Sequence, residues 1–213
     1  MEEQLRKLRR DYQGGPLNEQ DVAADPLEQF RRWFGEAVAA GVDMADAFAL
    51  ATVDASGRPS VRMVLLKGVS QGGFEFYTNY DSRKAHELAA NPRASMCFWW
   101  QAVARQVRID GRTIPLSAAE SDAYFASRPR EANVGALASP QSRPLRDRAE
   151  LERRVETVKK EWEGRDLVRP EGWGGYRLEP DAIELWQGRA DRLHDRLVYV
   201  RDGASWRLTR LAP

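Results

Sequence analysis

Short stretches of alternating or continuous apolar residues, separated by turn residues, recur along most of the chain. Such stretches are typical of β-strands, and strands are predicted at residues 47–53, 60–67, 74–78, 94–100, 103–110, 175–178, 182–187, 197–201 and 206–211. The connectors at 54–57 and 70–73 are too short to hold crossover helices. The strands are therefore expected to pair mostly antiparallel.

Helical signals stand between these strands. The first helix is predicted to begin at Asp25-Pro26, an N-cap followed by proline at the first helical position, and its apolar stripe is Leu27, Phe30, Phe34 and Val38. Three more are predicted at 82–90, at 117–127 behind a capping box, and at about 147–163 with Leu151, Val155, Val158 and Trp162 on one face. Strands on both sides of a helical insertion predict a mainly β fold, a closed or nearly closed antiparallel barrel flanked by helices.

The N-terminal part of the chain has a different pattern. Residues 1–24 are polar and loosely patterned and include the turn-rich stretch Gln13-Gly14-Gly15-Pro16. We expect them to form a mobile arm, and residues 25–213 to form a single domain.

Charge excludes some classes of partner. The 213 residues include 33 basic and 32 acidic ones, with no block of like charge, which argues against nucleic acid as a partner. Arginines outnumber lysines 28 to 5, and the guanidinium group pairs well with phosphate and carboxylate. This skew agrees with several anion sites and, equally well, with codon bias in a GC-rich genome.

The counts of cysteine and histidine and the hydropathy pattern argue against several kinds of site and segment. The single Cys97 excludes an intramolecular disulfide and CxxC zinc sites, and its apolar neighbours predict a buried, inert thiol. With only two histidines a metal site is not expected, and His86, which has Ala90 where a zinc motif needs histidine, is expected at the surface. The chain lacks an apolar signal-peptide core and a membrane-length apolar run, so we expect a cytoplasmic protein without a membrane partner.

Two cation pairs are candidates for anion binding. Arg83 and Lys84 fall in the first turn of a predicted helix, where positive charge opposes the helix dipole unless a bound anion such as phosphate compensates. A solvated surface pair is the equal alternative. Arg62 and Lys67 flank an apolar strand with opposite parity, so unless a bulge intervenes they are expected to face opposite sides and to serve different anions. A solvated lysine at the strand end is the alternative for Lys67.

A third candidate lies near the C-terminus. If residues 192–196 are extended, Arg192, His194 and Arg196 project on one face. Potential cations on one face repel each other unless an anion or an electron-rich ligand lies among them. This cluster is therefore a candidate ligand site.

Together these motifs closely resemble the pyridoxamine 5'-phosphate oxidase family. The resemblance rests on Arg62 to Lys67, Tyr77-Thr78, Ser82 to Lys84, Arg105 to Arg108, Tyr124 to Arg130, Gln141-Ser142, Trp186 to Arg189 and Arg192 to Arg196. It extends in order and spacing from about residue 20 to the terminal Arg210-Leu211-Ala212-Pro213.

The resemblance implies an FMN-binding split barrel that works as a homodimer, with FMN in a cleft between subunits. It implies FMN contacts from one subunit by Arg62, Met63, Val64, Leu65, Leu66, Lys67, Tyr77, Thr78, Arg83 and Lys84. The flavin site would be completed, partly from the other subunit, by Gln106, Gln141, Ser142, Trp186 and Arg196.

The same resemblance implies a phosphorylated pyridine substrate. Its phosphate would be held by Lys67, Tyr124 and Arg128, while Arg192 and His194 would position the pyridine ring as the catalytic pair. Residues 9–12, with Arg9 and Tyr12, resemble the arm that folds over substrate. The implied reaction oxidises pyridoxamine or pyridoxine 5'-phosphate to pyridoxal 5'-phosphate, with oxygen as acceptor, and releases peroxide, plus ammonia from the amine.

The chain departs from the family pattern at a few positions. Ala132 stands where a serine usually helps to hold the substrate phosphate, and Ala104, Leu137 and Leu185 replace a usual glutamate, tryptophan and phenylalanine. These changes are expected near the substrate and leave the FMN contacts unchanged. They leave open an FMN oxidoreductase with altered specificity. A non-catalytic flavin-binding or pyridoxal phosphate-binding protein is a further alternative, against which the retained Arg192 and His194 speak.

Overall fold

A computed structural model describes residues 1–7 and 11–213 of the chain. Over these residues the strands are β1 Ala47–Val53, β2 Pro59–Leu65, β3 Gly68–Ser70, β4 Gly73–Asn79, β5 Arg93–Trp100, β6 Arg105–Pro115, β7 Trp173–Gln187, β8 Asp195–Asp202 and β9 Ser205–Leu211. The helices are α1 Glu2–Lys7, α2 Pro26–Ala39, α3 Arg83–Ala90, α4 Ala118–Ser127, α5 Arg130–Ala138 and α6 Arg148–Glu161.

The strands form one sheet in which every pairing is antiparallel. Its order is β2-β1-β5-β6-β7-β4-β3, and β8 pairs with β7 and carries β9. The predicted antiparallel pairing is therefore confirmed. Short turns join β1 to β2, β3 to β4 and β8 to β9, as the turn residues between these strands require.

Strand β7 corrects the prediction of two separate strands at 175–178 and 182–187. It runs unbroken for 15 residues because β6 pairs with it from Tyr176 to Gln187, across a register shift between Asp110 and Gly111. A side chain at Gly111 would collide with the carbonyl of Glu179, so glycine allows this close approach. The first half of β7 pairs with β4 and the second half with β8.

Helix α2 packs its apolar face on the sheet. Its N-cap Asp25 accepts a hydrogen bond from the Leu27 amide at 2.9 Å, and Phe30 makes edge contacts with Phe74 and Phe98. The predicted stripe is wrong at its far end, since Val38 is 52% exposed. The face buried instead consists of Leu27, Phe30, Trp33 and Ala37, with Phe34 at its edge.

The inner face of the sheet supplies the rest of the core. Phe48, Phe76, Phe98 and Trp100 are fully buried on alternating positions of their strands. Cys97, between two core residues of β5, points to the outer face and is half-buried, not buried as predicted. Burial still raises the pKa of its thiol, so it remains protonated at neutral pH.

Helix α5 and strand β3 were not predicted. Helix α5 follows Pro129, where the sequence prediction stops a helix. Its buried residues are Asn133, Val134 and Ala138, so it has no apolar stripe of large residues to reveal it. Helix α6 packs against α5. Its predicted apolar face is half-buried.

Several residues of the N-terminal arm contact the domain. Leu17 is buried, and its amide donates to a carboxylate oxygen of Asp195 at 3.1 Å. The Tyr199 hydroxyl donates to the Ala23 carbonyl at 2.7 Å. Mobility of residues 1–24 remains a prediction. Over the described residues, 1–7 and 11–213, no helix is long and apolar enough to span a membrane.

Candidate functional site

A cavity of about 420 Å³ opens between the end of β2, strand β4 and helices α4 and α5. We call it the main cavity. Ten of the sequence-predicted site residues line it, namely Met63, Val64, Leu65, Lys67, Tyr77, Thr78, Lys84, Tyr124, Arg128 and Gln141. Leu66, also predicted, instead packs in the hydrophobic core. The fold therefore brings together most of one predicted set, from segments far apart in sequence.

One end of the main cavity carries a cluster of polar donors and acceptors around Lys84. Its ammonium group lies 3.0 Å from Thr78 Oγ1, 3.0 Å from Gln141 Oε1 and 3.3 Å from Ser82 Oγ. All three partners are neutral. Burial, together with the positive charge of Arg62, lowers the pKa of Lys84 to about 8. An added anion would restore the full charge of this lysine.

The other wall of the main cavity is an aromatic stack topped by a cation. Tyr77, Tyr124 and Trp173 lie nearly parallel, with interplanar angles of 4–17°, and the Arg128 guanidinium lies 4.7 Å from the Trp173 ring centroid. Burial raises the pKa of Tyr77 to about 12. The sequence does not predict Trp173 as a site residue, because its position just before Gly174-Gly175 carries no functional signal.

Arg128 is hydrogen-bonded to two neutral groups that follow it in the chain. It donates to Asn133 Oδ1 at 3.0 Å and to the Ala132 carbonyl at 3.2 Å. Within residues 1–7 and 11–213 it forms no salt bridge, and burial lowers its pKa. A half-buried guanidinium without a counter-charge is suited to hold an anionic ligand.

Arg62 and Lys67 face different surroundings, as their opposite parity predicts. Lys67 lines the main cavity and forms an ion pair with Asp46 at 2.9 Å. Arg62 turns toward α3, where it donates to Glu87 Oε2 at 2.9 Å and to the Leu50 carbonyl at 3.2 Å.

Arg83 and Ser142 lie on a neighbouring surface. The Arg83 amide donates to Ser142 Oγ at 3.2 Å, and its Nε donates to Glu87 Oε1 at 2.8 Å. Both residues line a second cavity of about 470 Å³, together with Asp81 and the exposed His86. We call it the side cavity. Arg83 and Lys84, adjacent in sequence, therefore line different cavities.

Three further predicted residues, Gln106, Trp186 and Arg196, form a row across the outer face of the sheet together with Trp99, which the sequence does not predict as a site residue. Trp99, Gln106, Trp186 and Arg196 are direct cross-strand neighbours on β5, β6, β7 and β8. Side chains at such positions share one face. Arg196 makes two hydrogen bonds to Glu184, at 2.9 and 3.1 Å, which hold its guanidinium in place.

His194 and Tyr12 lie against this row. The His194 ring centroid is 4.6 Å from that of Trp186, and Tyr12 makes edge contacts with both rings. His194 Nδ1 accepts from the Arg189 amide at 3.1 Å, so the proton of the neutral ring resides on Nε2. Arg9, predicted beside Tyr12, lies outside the described residues.

The expected extended stretch at 192–196 is wrong in its first half. Ala190–Arg192 forms a short 3-10 turn, in which Asp191 and Arg192 have φ values of 56° and 60°. Strand β8 begins only at Asp195. Arg192 is exposed on this turn and does not share a strand face with Arg196.

The two groups of residues do not meet within one chain. Over residues 1–7 and 11–213, no hydrogen bond, ion pair or aromatic contact joins the main cavity to the outer row. The outer face near β2 also exposes Val61 and Met63, which are 69% and 66% exposed. Exposed apolar residues of this kind are typical of an interaction surface.

The four departures from the family pattern lie on different elements of the chain, with Leu137 half-buried on α5, and their expected position near the substrate stays a prediction. Ala132 lines the main cavity, whereas Leu185 is fully buried on the core face of β7. Ala104 has a left-handed φ of 50° at the end of a 3-10 turn. Of the four, Ala132 is the change that bears on the cavity.

Comparison with known protein families gives two matches that together cover most of the chain. Residues 34–161 match the family model described as pyridoxamine 5'-phosphate oxidase. Residues 173–213 match the model described as the pyridoxine 5'-phosphate oxidase C-terminal dimerisation region. The second match includes the β7 and β8 residues of the outer row.

Similar proteins include two bacterial ones named pyridoxine/pyridoxamine 5'-phosphate oxidase. The one from Rubrobacter xylanophilus is 52% identical, over 98% of this chain and 96% of its own length. The one from Cupriavidus taiwanensis is 53% identical, over 99% of each chain. The similarity therefore extends over nearly the full length of both relatives.

Solved structures show the same architecture. PhzG from Burkholderia lata, in complex with tetrahydrophenazine-1-carboxylic acid, superposes with a TM-score of 0.88 at 35% identity, over 94% of this chain and 99% of that one. A pyridoxamine 5'-phosphate oxidase-related, FMN binding protein from Nostoc punctiforme gives a TM-score of 0.72 at 19% identity, over 90% of this chain and 100% of that one. The second likeness concerns the fold alone.

Proposed function

Because the chain belongs to the pyridoxamine 5'-phosphate oxidase family, we propose that it oxidises pyridoxamine and pyridoxine 5'-phosphate to pyridoxal 5'-phosphate. Oxygen would be the electron acceptor and hydrogen peroxide a product, with ammonia also released from the amine. The predicted family and the predicted split-barrel fold with flanking helices are confirmed. We propose the substrate, the cofactor and the roles of the site residues.

The observation that carries the proposal is that two cations of the main cavity, Lys84 and Arg128, have different sets of neighbours. Lys84 lies among Thr78, Ser82 and Gln141, whereas Arg128 lies beside Tyr124 and Trp173. The reaction needs two phosphates to be held, one on the cofactor and one on the substrate. Each phosphate would receive its own cationic group.

The residues around Lys84 fit the phosphate of FMN. The lysine is partly desolvated and hydrogen-bonded to three neutral groups, so an anion there gains a charge-assisted contact. Gln106, Trp186 and Arg196 would face the flavin ring system. FMN, when bound, supplies the two-electron acceptor for the C4' carbon of the substrate and the route to oxygen.

At the substrate end, three side chains from different elements would hold the phosphate. Arg128 and Lys67 supply charge, and Tyr124 supplies a hydroxyl. Stacking of Tyr124 on Tyr77 and Trp173 limits its rotation, so the phosphate contact is pre-organised. His194 and Arg192 would position the pyridine ring.

A homodimer would bring the two groups of residues together. His194 and Trp186 lie on the outer face, within the region matched by the dimerisation model, and do not reach the main cavity of their own chain. We propose that the outer row of one subunit completes the main cavity of its partner. The location in the cytoplasm remains a prediction.

One observation favours a second candidate function, an FMN oxidoreductase acting on a different substrate. Ala132, Gly135 and Ala136 line the main cavity from α5, so these three positions offer only small side chains, without a hydroxyl for a substrate phosphate, and leave room for a larger ligand. The 35% identical PhzG structure contains a tricyclic carboxylic acid.

The test is turnover by the purified protein saturated with FMN. Pyridoxine or pyridoxamine 5'-phosphate is added in air, and pyridoxal phosphate absorbance and peroxide are followed together. Equal formation of both products is expected. A yellow, flavin-loaded protein that forms neither would overturn the proposed reaction, and a panel of aromatic carboxylates would then test the second candidate.

A further inference from the structure

A buried acid, Glu87, lines the side cavity together with Arg83, and it lies close enough to Lys84 of the main cavity for its charge to act on the ammonium group. Glu87 is 4% exposed and sits on α3, one turn after Arg83. A negative charge near an anion site opposes binding of the anion. We therefore expect Glu87 to have a role that offsets the unfavourable effect of its charge on anion binding.

The Glu87 carboxylate is saturated with hydrogen-bond donors. Its Oε1 accepts from Arg83 Nε at 2.8 Å. Its Oε2 accepts from the Arg62 guanidinium at 2.9 Å, Ser60 Oγ at 2.6 Å and Thr52 Oγ1 at 2.5 Å. Burial raises the pKa of this carboxyl, but the donated hydrogen bonds outweigh burial and lower the pKa to about 2. Glu87 is thus an anion at every working pH.

These contacts join the sheet to the helix. Arg62 comes from β2 and Arg83 from the first turn of α3, and both were expected to contact FMN. Over the described part of the chain, 1–7 and 11–213, no hydrogen bond joins the two arginines directly. Glu87 contacts both, one with each oxygen.

We propose that Glu87 is a positioning residue for the cofactor phosphate: it holds the Arg62 and Arg83 guanidinium groups so that the phosphate meets oriented donors. The inference rests on the proposed binding of FMN. One carboxylate against two guanidinium groups and Lys84 leaves the region positively charged. Glu87 can therefore orient the two guanidinium groups while the region still attracts the phosphate.

Positioning and simple electrostatics predict opposite effects when Glu87 is removed. If charge alone mattered, removing a carboxylate near the phosphate would tighten FMN binding. If Glu87 positions the arginines, its removal frees two long side chains, and binding weakens because they must be ordered again. The sign of the change decides between them.

The experiment titrates the apoprotein with FMN and with riboflavin, which lacks the phosphate, and follows quenching of flavin fluorescence. Glu87→Ala is expected to raise the Kd for FMN about tenfold or more and that for riboflavin less than about twofold. The matched control is Asp81→Asn. Asp81 is exposed, lines the same side cavity as Glu87 and bonds to neither arginine, so its loss of charge should leave FMN binding equal or slightly tighter.

Glu87→Gln keeps the shape of the side chain but loses one acceptor for an arginine. This variant tests the positioning role of Glu87 if Glu87→Ala fails to fold. It is expected to weaken FMN binding in preference to riboflavin binding. Wild-type or tighter FMN binding in a folded Glu87 variant would overturn this inference alone. A wild-type protein that binds FMN no better than riboflavin would overturn the proposed FMN phosphate site and this inference with it.

Discussion

Tyr77 and Tyr124 stack face to face, with ring centroids 3.8 Å apart and planes 17° from parallel. Tyr77 lies on β4 and Tyr124 on α4, so the stack couples a proposed cofactor residue to a proposed substrate residue. Trp173 extends the stack and places Arg128 above its own ring. The substrate-phosphate residues thus depend on each other's positions.

Tyr124→Phe keeps the stack and removes the hydroxyl. We expect KM for pyridoxine 5'-phosphate to rise about tenfold, the cost of one hydrogen bond to a charged group, with little change in kcat because the phosphate is held throughout the reaction. Steady-state kinetics measure both constants. An unchanged KM would remove the Tyr124 hydroxyl from the phosphate site, and thermal unfolding of the variant controls for loss of the fold.

Ala132→Ser should improve phosphate binding. The new hydroxyl would stand beside Arg128, which donates to the Ala132 carbonyl, and would add one donor to a charged oxygen. We expect KM for the phosphorylated substrate to fall about tenfold. The same variant assayed with unphosphorylated pyridoxamine is the control, where no change is expected; equal changes with both substrates would contradict the assignment.

His194→Ala and Arg192→Ala should impair turnover while FMN remains bound. Loss of a group that positions the substrate ring is expected to lower kcat/KM on the order of 10²-fold. The flavin content after gel filtration should equal that of the wild type. Wild-type kinetics in both variants would remove these residues from the mechanism, and loss of flavin would place them in the cofactor site instead.

FMN binding should weaken as the pH rises above about 8. The protonated Lys84 attracts phosphate, and its pKa of about 8 means that the free protein loses this proton above that pH. The Kd for FMN is then expected to rise by up to about tenfold per pH unit. Lys84→Arg keeps its charge and should show a flatter profile. Riboflavin, without phosphate, serves as the control ligand; a parallel slope for riboflavin would contradict this role.

Glu87 should contribute to stability against acid. Its folded pKa of about 2 lies below the ordinary value of 4.5, so its contribution is present above pH 4.5 and is lost as the pH falls toward 2. The loss is on the order of 3 kcal/mol. Urea unfolding of the apoprotein at pH 6 and pH 3 should show a smaller drop in unfolding free energy for Glu87→Gln. An equal drop in both proteins would argue against the lowered pKa.

Features with a local cause followed from the sequence. The capping box at Ser117 and Glu120 forms as predicted, and Asp25 caps α2, because each depends on residues within one helical turn. Strand β1 has its predicted bounds, because the turn residues that follow its apolar run mark the end of the strand without reference to a partner strand. The family resemblance likewise followed from short motifs in a fixed order.

Features that depend on distant partners needed the tertiary structure. The sequence did not show that Glu87, 25 residues from Arg62, is its buried ion-pair partner, or that Trp173 stacks on Tyr124. Nor did it show the turn at 190–192, where left-handed backbone angles at Asp191 and Arg192 prevent the extended conformation expected to begin at Arg192. The sequence alone determined the strand-rich fold, the anion-binding residue types and the family. Only the packing of β2, β4, α3 and α5 decided which cations share a cavity and which acid orients them, because side-chain proximity across elements is set by the sheet order and not by local propensity.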